Sequence, residues 1–391
     1  MHKNKKTKSN INILHLSQTD IRSDSRILKE MNSITKGNDS YNLFGIGVVS
    51  AKTNKRLSVK NSILRIKSIN VFFRDIKYLP KVISHIFLTI EITIKMLRLS
   101  LQIKPSVVHC HDTPVLPLGV LIKFFNGSKL VYDAHELESN RNGLSSFLGS
   151  LVLFVERRLW RYIDKLIVVS PSIKKWYINN VGEKPCTVIL NSPINNNKNK
   201  NKNKTYLRNK FSVPNKAKIF LYIGIIGPGR GIDLILNSFN NKNSKAHLIF
   251  LGYGQYKKKL LEISSKNLNI HFHDPVPHEE VVSIASGADV GLCLIEKVSL
   301  SDYYCLPNKL FEYAFSEIPI LASNFPDISY VVKKYKLGIC SDLNKKNIQK
   351  SILEFTDQDK LPRINSKNLH DLSWETQEKK LIEMYASFFS D

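Results

Sequence analysis

The stretch Ile219–Leu236 reads IFLYIGIIGPGRGIDLIL. Its first part is an unbroken apolar run rich in β-branched residues, the pattern of a strand covered on both faces, and IDLIL opens a helical pattern. Between them GPGRG (Gly227–Gly231) supplies a tight turn. Strand, glycine turn and helix in that order make one unit of a doubly wound α/β sheet. The same rhythm continues downstream in HLIFLG, NIHFHD, DVGLCLI and IPILAS. Upstream it appears in INILHLS, a helix from about Ser25, YNLFGIGVV, SVVHCHD, KLVYDAH and KLIVVS. Between the two series lies INNNKNKNKNKTYLRNK, from Ile194, whose Asn/Lys alternation cannot fill a core.

Two series mean two Rossmann-like domains. The expected division is a basic disordered tail at 1–10, a first domain at 11–193, a low-complexity junction loop at 194–210, a second domain at 211–370, and a C-terminal helix at 371–391 returning towards the first domain. The length of 391 residues and the 42% apolar content suit two cores. The five cysteines stand singly without a C-x-x-C pair, which argues against a disulfide framework and a zinc site. No apolar run reaches the length of a membrane span, and INILHLSQTD turns polar too soon for a signal peptide, so a cytoplasmic location is expected.

The net charge is +25, and removing the ten cations of residues 1–10 and 195–210 leaves +15. Such a surplus suits a phosphate-bearing substrate, an anionic membrane or nucleic acid. For nucleic acid, no aromatic RNA-binding signature, zinc spacing or basic recognition helix is present.

Ligands of open α/β sheets bind at the carboxyl ends of strands. Gly227 and Gly229 allow close approach of the backbone to a phosphate, and Arg230 adds a guanidinium; an ordinary turn with an exposed arginine is the alternative. The alternating glycines do not form G-x-G-x-x-G, which disfavours a nicotinamide site. In LPNKLFEYAF, Pro307 and Asn308 start a helix whose N-terminus, with Lys309, suits an anion, while Glu312 one turn deeper suits a ribose diol. The competing reading is a surface i, i+3 ion pair.

Taken in order, SDSRILKE, VVHCHD, LVYDAHE, ERRLWRYIDKLIVVS, ILNSP, YIGIIGPGRGIDLIL, LIFLGYG, IHFHDPVPHEEV, ADVGLCLIE, LPNKLFEYAFSEIPILASNFPDI and SWETQEKKLIEMY resemble the retaining glycosyltransferases of family 4, from about Ile11 to the C-terminal helix. The resemblance implies the GT-B architecture, two Rossmann-like domains facing each other across a cleft. It also implies that Arg230 and Lys309 hold the donor diphosphate and that Glu312, the second glutamate of an E-x7-E motif, holds the ribose. Three positions depart from the pattern: Tyr304 replaces the first glutamate, Ile225 stands where relatives carry arginine, and Asp274 where they carry glycine.

In the first domain His111 matches the histidine near the reacting sugar, a satisfied core histidine being the alternative. Asp112, His135 and Glu136 fall on the acceptor side, as do Asp24 and Arg26, for which a plain helix cap and a solvated arginine serve equally. Asp357-Gln358-Asp359 is a formal D-x-D without a preceding strand, so neither metal nor other cofactor is expected.

The implied activity is transfer of a hexose-type residue, with retention, from a nucleotide diphosphate sugar to a hydroxyl of a glycan or lipid-linked glycan in cell-surface polysaccharide synthesis. An epimerase of the same architecture, using the donor site without an acceptor, is the rival. YLPKVISHIFLTIEITIKMLRLSLQIKP, from Tyr78, is apolar but broken by charges, and is expected as a core helix with a basic edge able to rest on an anionic membrane.

Overall fold

The computed structural model describes residues 10–49, 64–74, 80–194, 203–239 and 245–390. The basic tail, apart from Asn10, and residues 195–202 of the Asn/Lys segment lie outside them. The chain divides into two compact units, Met1–Ile189 with Glu378–Asp391, and Leu190–Gln377.

The first unit carries seven strands: β1 (Ile11–Leu16), β2 (Tyr41–Val48), β3 (Arg65–Ile69), β4 (Val107–His111), β5 (Lys129–Ala134), β6 (Lys165–Val168) and β7 (Cys186–Val188). They pair in parallel in the order β3-β2-β1-β4-β5-β6-β7. Five helices connect them: α1 (Ser25–Gly37), α2 (Lys81–Ile103), α3 (Leu116–Asn126), α4 (Ser146–Leu159) and α5 (Pro171–Asn180). Their starts are written locally. Asp24 caps α1 by accepting from the N–H groups of Arg26 and Ile27, and Ser170 caps α5 ahead of Pro171. Leu14, Leu16, Leu43, Val108, Leu130 and Val131 are fully buried in the sheet, each worth roughly 1.5–3 kcal/mol.

The second unit begins with α6 (Tyr206–Lys210), followed by β8 (Lys218–Ile225), α7 (Ile232–Ser238), β9 (Ala246–Tyr253), α8 (Lys257–Lys266), β10 (Ile270–His273) and α9 (His278–Ala285). There follow β11 (Val290–Cys293), α10 (Leu300–Tyr303), α11 (Asn308–Phe315), β12 (Ile320–Ser323), α12 (Pro326–Lys334), β13 (Gly338–Ser341), α13 (Lys345–Asp357) and α14 (Trp374–Ala386), whose residues from Glu378 on belong to the first unit. The strand order is β10-β9-β8-β11-β12-β13, again parallel. Phe220, Tyr222, Phe250, Leu292, Leu321 and Ile348 belong to its core.

Every strand read from the sequence is present. β3, β7 and β13, which were not read, are edge strands, short and partly exposed, so they lack an apolar run. The 194–210 segment is not loop throughout: Leu207 is fully buried and anchors α6, and the Tyr206 hydroxyl lies 2.8 Å from His273 Nε2. Among the described residues no helix is long and apolar enough to cross a membrane.

Candidate functional site

Each sheet reverses its strand order once, and a crevice opens at the carboxyl ends of the strands on either side of the reversal. In the second unit the reversal lies at β8 and β11. The GPGRG loop follows β8, and Glu296 and α10 follow β11. Gly229 and Gly231 both have φ of 73°, a left-handed turn open to glycine. At Gly231 a Cβ would lie 2.0 Å from the Leu294 carbonyl oxygen, so the loop lies directly on the chain leaving β11. The Gly231 N–H donates to Glu296 Oε1 at 3.0 Å, and the Glu296 N–H donates to the Gly229 carbonyl at 3.1 Å. The Gly231 N–H, just ahead of α7, is therefore already taken. Gly227 is buried at the start of this loop, and Arg230 lies at its end, half-exposed and 3.4 Å from Asp302 Oδ1.

Tyr313 fixes α11 against β8. Its hydroxyl accepts from Ile223 N–H and donates to the Leu221 carbonyl, both at 2.9 Å, and its ring fills the space that Gly291 leaves. The first turn of α11 consequently meets Gly224, where φ is 116° and a Cβ would stand 3.8 Å from Lys309 Nζ. Lys309 is only 9% exposed, and its ammonium sits 3.6 Å from the Tyr222 ring centroid. Among the described residues no carboxylate pairs with it. Glu312 is 5% exposed, and its Oε1 lies 3.6 Å from His278 Nδ1. Both residues are buried, which overturns the surface-pair alternative. Asn308 heads the helix and is exposed. Tyr304 is half-buried beside Tyr303, Ile225 is exposed at the end of β8, and Asp274 is exposed and held by Lys257 at 2.6 Å.

In the first unit the reversal lies at β1 and β4. Here the alternating strands put His15, His109 and Asp133 on a common side with His111, all fully or nearly fully buried. Arg26 reaches in from α1, its Nη2 3.2 Å from Asp133 Oδ1 and 3.1 Å from Glu30 Oε1 and its Nη1 donating to the Ile189 carbonyl at 3.2 Å. Neither an exposed acceptor contact nor a solvated arginine describes it: Arg26 is a buried counter-ion, because two acids packed in the same space require one. Burial would lower the Arg26 pKa, but Asp133 and Glu30 raise it; burial would raise that of Asp133, but Arg26 and His135 hold it well below the carboxylate range.

His111 does not project from the strand end. Its Nε2 lies 2.9 Å from His15 Nδ1 and its Nδ1 3.1 Å from His135 Nε2, and its side chain is fully buried. Burial lowers its pKa, and lowers that of His109 to about 3. The ring that reaches the surface is His135, whose Nε2 is 3.1 Å from Asp133 Oδ2 and whose Nδ1 is 3.7 Å from Asp112 Oδ2. Burial would lower the His135 pKa, yet Asp112 and Asp133 raise it to about 10, so at neutral pH it is an imidazolium. Asp112 has φ 66° and ψ 163°, a region nearly reserved for glycine, at a cost of ~1–3 kcal/mol. Its N–H donates to the Asp133 carbonyl at 2.9 Å, and its Oδ1 accepts from the His135 N–H at 3.1 Å. Asp24 is the helix cap, and Glu136 is exposed 3.8 Å from Arg141 Nε.

Two groups, His15 with His109 and His111, and Glu30 with His109, His111 and Asp133, offer ligand atoms within 4.8 Å of one another. They do not suit a metal. An imidazole lone pair lies in the ring plane, and these rings stack 4.4–5.2 Å apart at 17–29°, so their planes do not meet at one ion. The guanidinium of Arg26 already pairs with both acids.

Sequence reading missed Glu30, Asp133, His15 and His109 in the first unit, and Glu296, Asp302, Tyr222 and His278 in the second. Asp133 lies within the quoted YDAHE, and Glu296 follows a strand end, which is the signal that could have found them.

Two family models match the chain: Glycosyltransferase Family 4 over residues 59–192 and Glycosyl transferases group 1 over residues 203–370. Together they take in most of its length. The chain belongs to the family 4 (group 1) glycosyltransferases. It is a nucleotide-sugar-dependent transferase with two Rossmann-like units of the GT-B fold. Among solved structures this glycosyltransferase is similar to sucrose-phosphate synthase from Thermosynechococcus elongatus, with TM-score 0.76 and 13% identity over 97% of this chain and 99% of that one. It is similar also to HepE from Anabaena, solved with UDP-glucose, at TM-score 0.71 and 13% identity over 96% and 100%. UDP-GlcNAc 2-epimerase from Methanocaldococcus jannaschii follows at TM-score 0.56 and 14% identity over 96% and 99%. At these identities the likeness concerns the fold, which an epimerase evidently shares. No curated protein sequence matches the transferase.

Proposed function

We propose that the enzyme transfers a hexose-type residue, with retention, from a nucleotide diphosphate sugar to a hydroxyl of a glycan or lipid-linked glycan acceptor in cell-surface polysaccharide synthesis. The observation that carries the donor assignment is Lys309: a buried ammonium at the β8/β11 switch point with a ring but no carboxylate beside it among the described residues. Such a charge is costly unless an anion completes it. A diphosphate does so, with Arg230 on the second side and Glu312 accepting from the ribose hydroxyls. Gly227 and Gly229 let the loop backbone approach, and Asn308 stands at the exposed helix entrance. The cations stabilise charge as it develops on the departing diphosphate, and no metal is invoked.

The acceptor belongs to the first unit. His135, partly exposed and protonated, with Asp112 and Glu136 beside it, contacts the acceptor; His111 acts through His135 as a positioning residue, and Asp24 and Arg26 hold the elements that present them. The surplus of positive charge fits peripheral association with the inner, anionic face of a cell membrane, where a lipid-linked acceptor resides.

A thermal-shift screen against UDP, GDP, ADP and CDP sugars tests the donor assignment, since a ligand of the folded state raises its apparent stability. Stabilisation by one nucleotide in the wild type and its loss in Lys309→Ala is the expected result; a shift that survives the substitution contradicts the site. The epimerase reading, favoured only by the shared fold, is separated by incubation with donor alone, which an epimerase converts and a transferase at most slowly hydrolyses.

A further inference from the structure

Twelve of the 23 large hydrophobic side chains exposed among the described residues sit on α2, α3 and α4. These helices are neighbours, α2 packing on α3 and α3 on α4. α2 already buries Ile92 and Met96 on one face and α3 buries Leu118 and Ile122, while α4 buries Gly149 and Glu156. A surface helix should then be polar on its outer side. Instead Phe87 and Ile90 of α2, Phe124 and Phe125 of α3, and Phe147 and Phe154 of α4 face outward, from 43% exposed at Phe87 to 76% at Phe147. Apolar patches spread over several helices mark a docking surface.

The charges around the patch say what docks there. Lys95 and Arg98 on the C-terminal half of α2, and Arg157 and Arg158 in the last turn of α4, are exposed, and Arg161 follows just beyond. The three helices connect parallel strands and so run the same way, which gathers these cations towards one edge. The helices expose no carboxylate to match them. Glu156 is fully buried, and the Glu91 side chain, 9% exposed, is held by Lys95 and the N–H groups of Phe72 and Phe73. An apolar plane edged by cations and free of exposed acids complements the headgroup and acyl layers of an anionic bilayer.

We propose that α2, α3 and α4 together form a lipid-insertion face, with the phenylalanines below the headgroups and the arginines and lysines among the lipid phosphates. This rests on the membrane association proposed above and goes beyond it: the protein is held by apolar insertion on three helices, not by the basic edge of one.

Co-sedimentation of the full-length enzyme with phosphatidylglycerol/phosphatidylcholine vesicles tests it, at low salt and at about 1 M salt, where the screening length falls to about 3 Å. Wild type should stay bound at high salt, and the quadruple variant Phe124→Ser, Phe125→Ser, Phe147→Ser, Phe154→Ser should bind at least tenfold less while keeping its melting temperature and its nucleotide-induced shift. A Phe147→Trp variant should gain emission, relative to wild type, that lipids brominated in the acyl chain quench. If the wild type binds at low salt, is fully released at high salt and is matched by the quadruple variant, insertion is wrong and the electrostatic association stands. Absence of pelleting at low salt overturns both. A dimer in sedimentation velocity without vesicles, abolished by the same serines, overturns the proposal in favour of a second copy as occupant.

Discussion

Lys309 and Arg26 are both buried cations, and the difference between them separates binding from architecture. Arg26 has two carboxylates within 3.2 Å. Arg26→Met leaves Asp133 with the His135 imidazolium alone and Glu30 with no cation beside it among the described residues, and should cost about 3–5 kcal/mol, read as a lower denaturation midpoint. An unchanged midpoint would contradict the ion pairing. Lys309 has no such partner among the described residues, so Lys309→Met should leave the ligand-free protein as stable as the wild type or more so. Donor affinity should nonetheless fall about tenfold to a hundredfold, the worth of one charge-assisted contact, and Arg230→Ala should show a loss of the same order. Calorimetric titration with the nucleotide found by the screen measures both; equal affinity in all three proteins rules out the assigned diphosphate site.

At the scale of elements, what matters is how closely the loop after β8 lies on the chain leaving β11. Gly231 is left-handed and has no room for a methyl group against the Leu294 carbonyl. Gly231→Ala must shift the loop, break the Gly231–Glu296 bond and carry Arg230 away from its place. The backbone term alone is ~1–2 kcal/mol. Destabilisation of that size or greater should come with weaker nucleotide binding, although Gly231 itself contributes no side chain. Wild-type affinity in a folded Gly231→Ala protein would show that the loop does not hold the donor. α11 is the complementary element: Tyr313, buried between β8 and Gly291, sets the height at which Lys309 and Glu312 stand.

For the whole molecule, the first unit should determine the response to pH. Folded His135 keeps its proton to about pH 10, whereas an unfolded histidine releases it near 6.5; burial first and Asp112 second raise Glu138 to about 8. In both cases the folded state binds the proton more tightly. Their contributions are therefore complete below the unfolded values and are lost as pH rises, through about 8 for Glu138 and about 10 for His135. Urea unfolding should show a midpoint that declines from neutral pH to pH 10, with a shallower decline in His135→Asn. A variant profile parallel to the wild type would remove His135 from this role. Chelation should leave transfer activity nearly intact, because the stacked histidines do not converge on an ion and the cations supply the charge; complete loss in EDTA restored by manganese would refute this.

How much of this was legible before folding follows from the range of the interactions. Strand runs, the Asp24 and Ser170 caps, the GPGRG turn and the PNK start of α11 are local signals, each set by neighbours within one or two turns, and the sequence alone determined them together with the two-domain α/β class and the family. Three of the four edge strands, β3, β7 and β13, were not legible, since each is short, partly exposed and without an apolar run. Nor were the pairings among distant residues. Whether His111 or His135 meets solvent depends on strand register, because His15, His109, His111 and Asp133 come from three strands that align only when β1, β4 and β5 pair. That Arg26 is a counter-ion and Lys309 an unmatched cation was decided by which carboxylates the tertiary structure brings within reach, 107 residues away for Arg26 and, among the described residues, nowhere for Lys309. Charge is written in the sequence, but its neutralisation depends on distance in space, which only packing fixes.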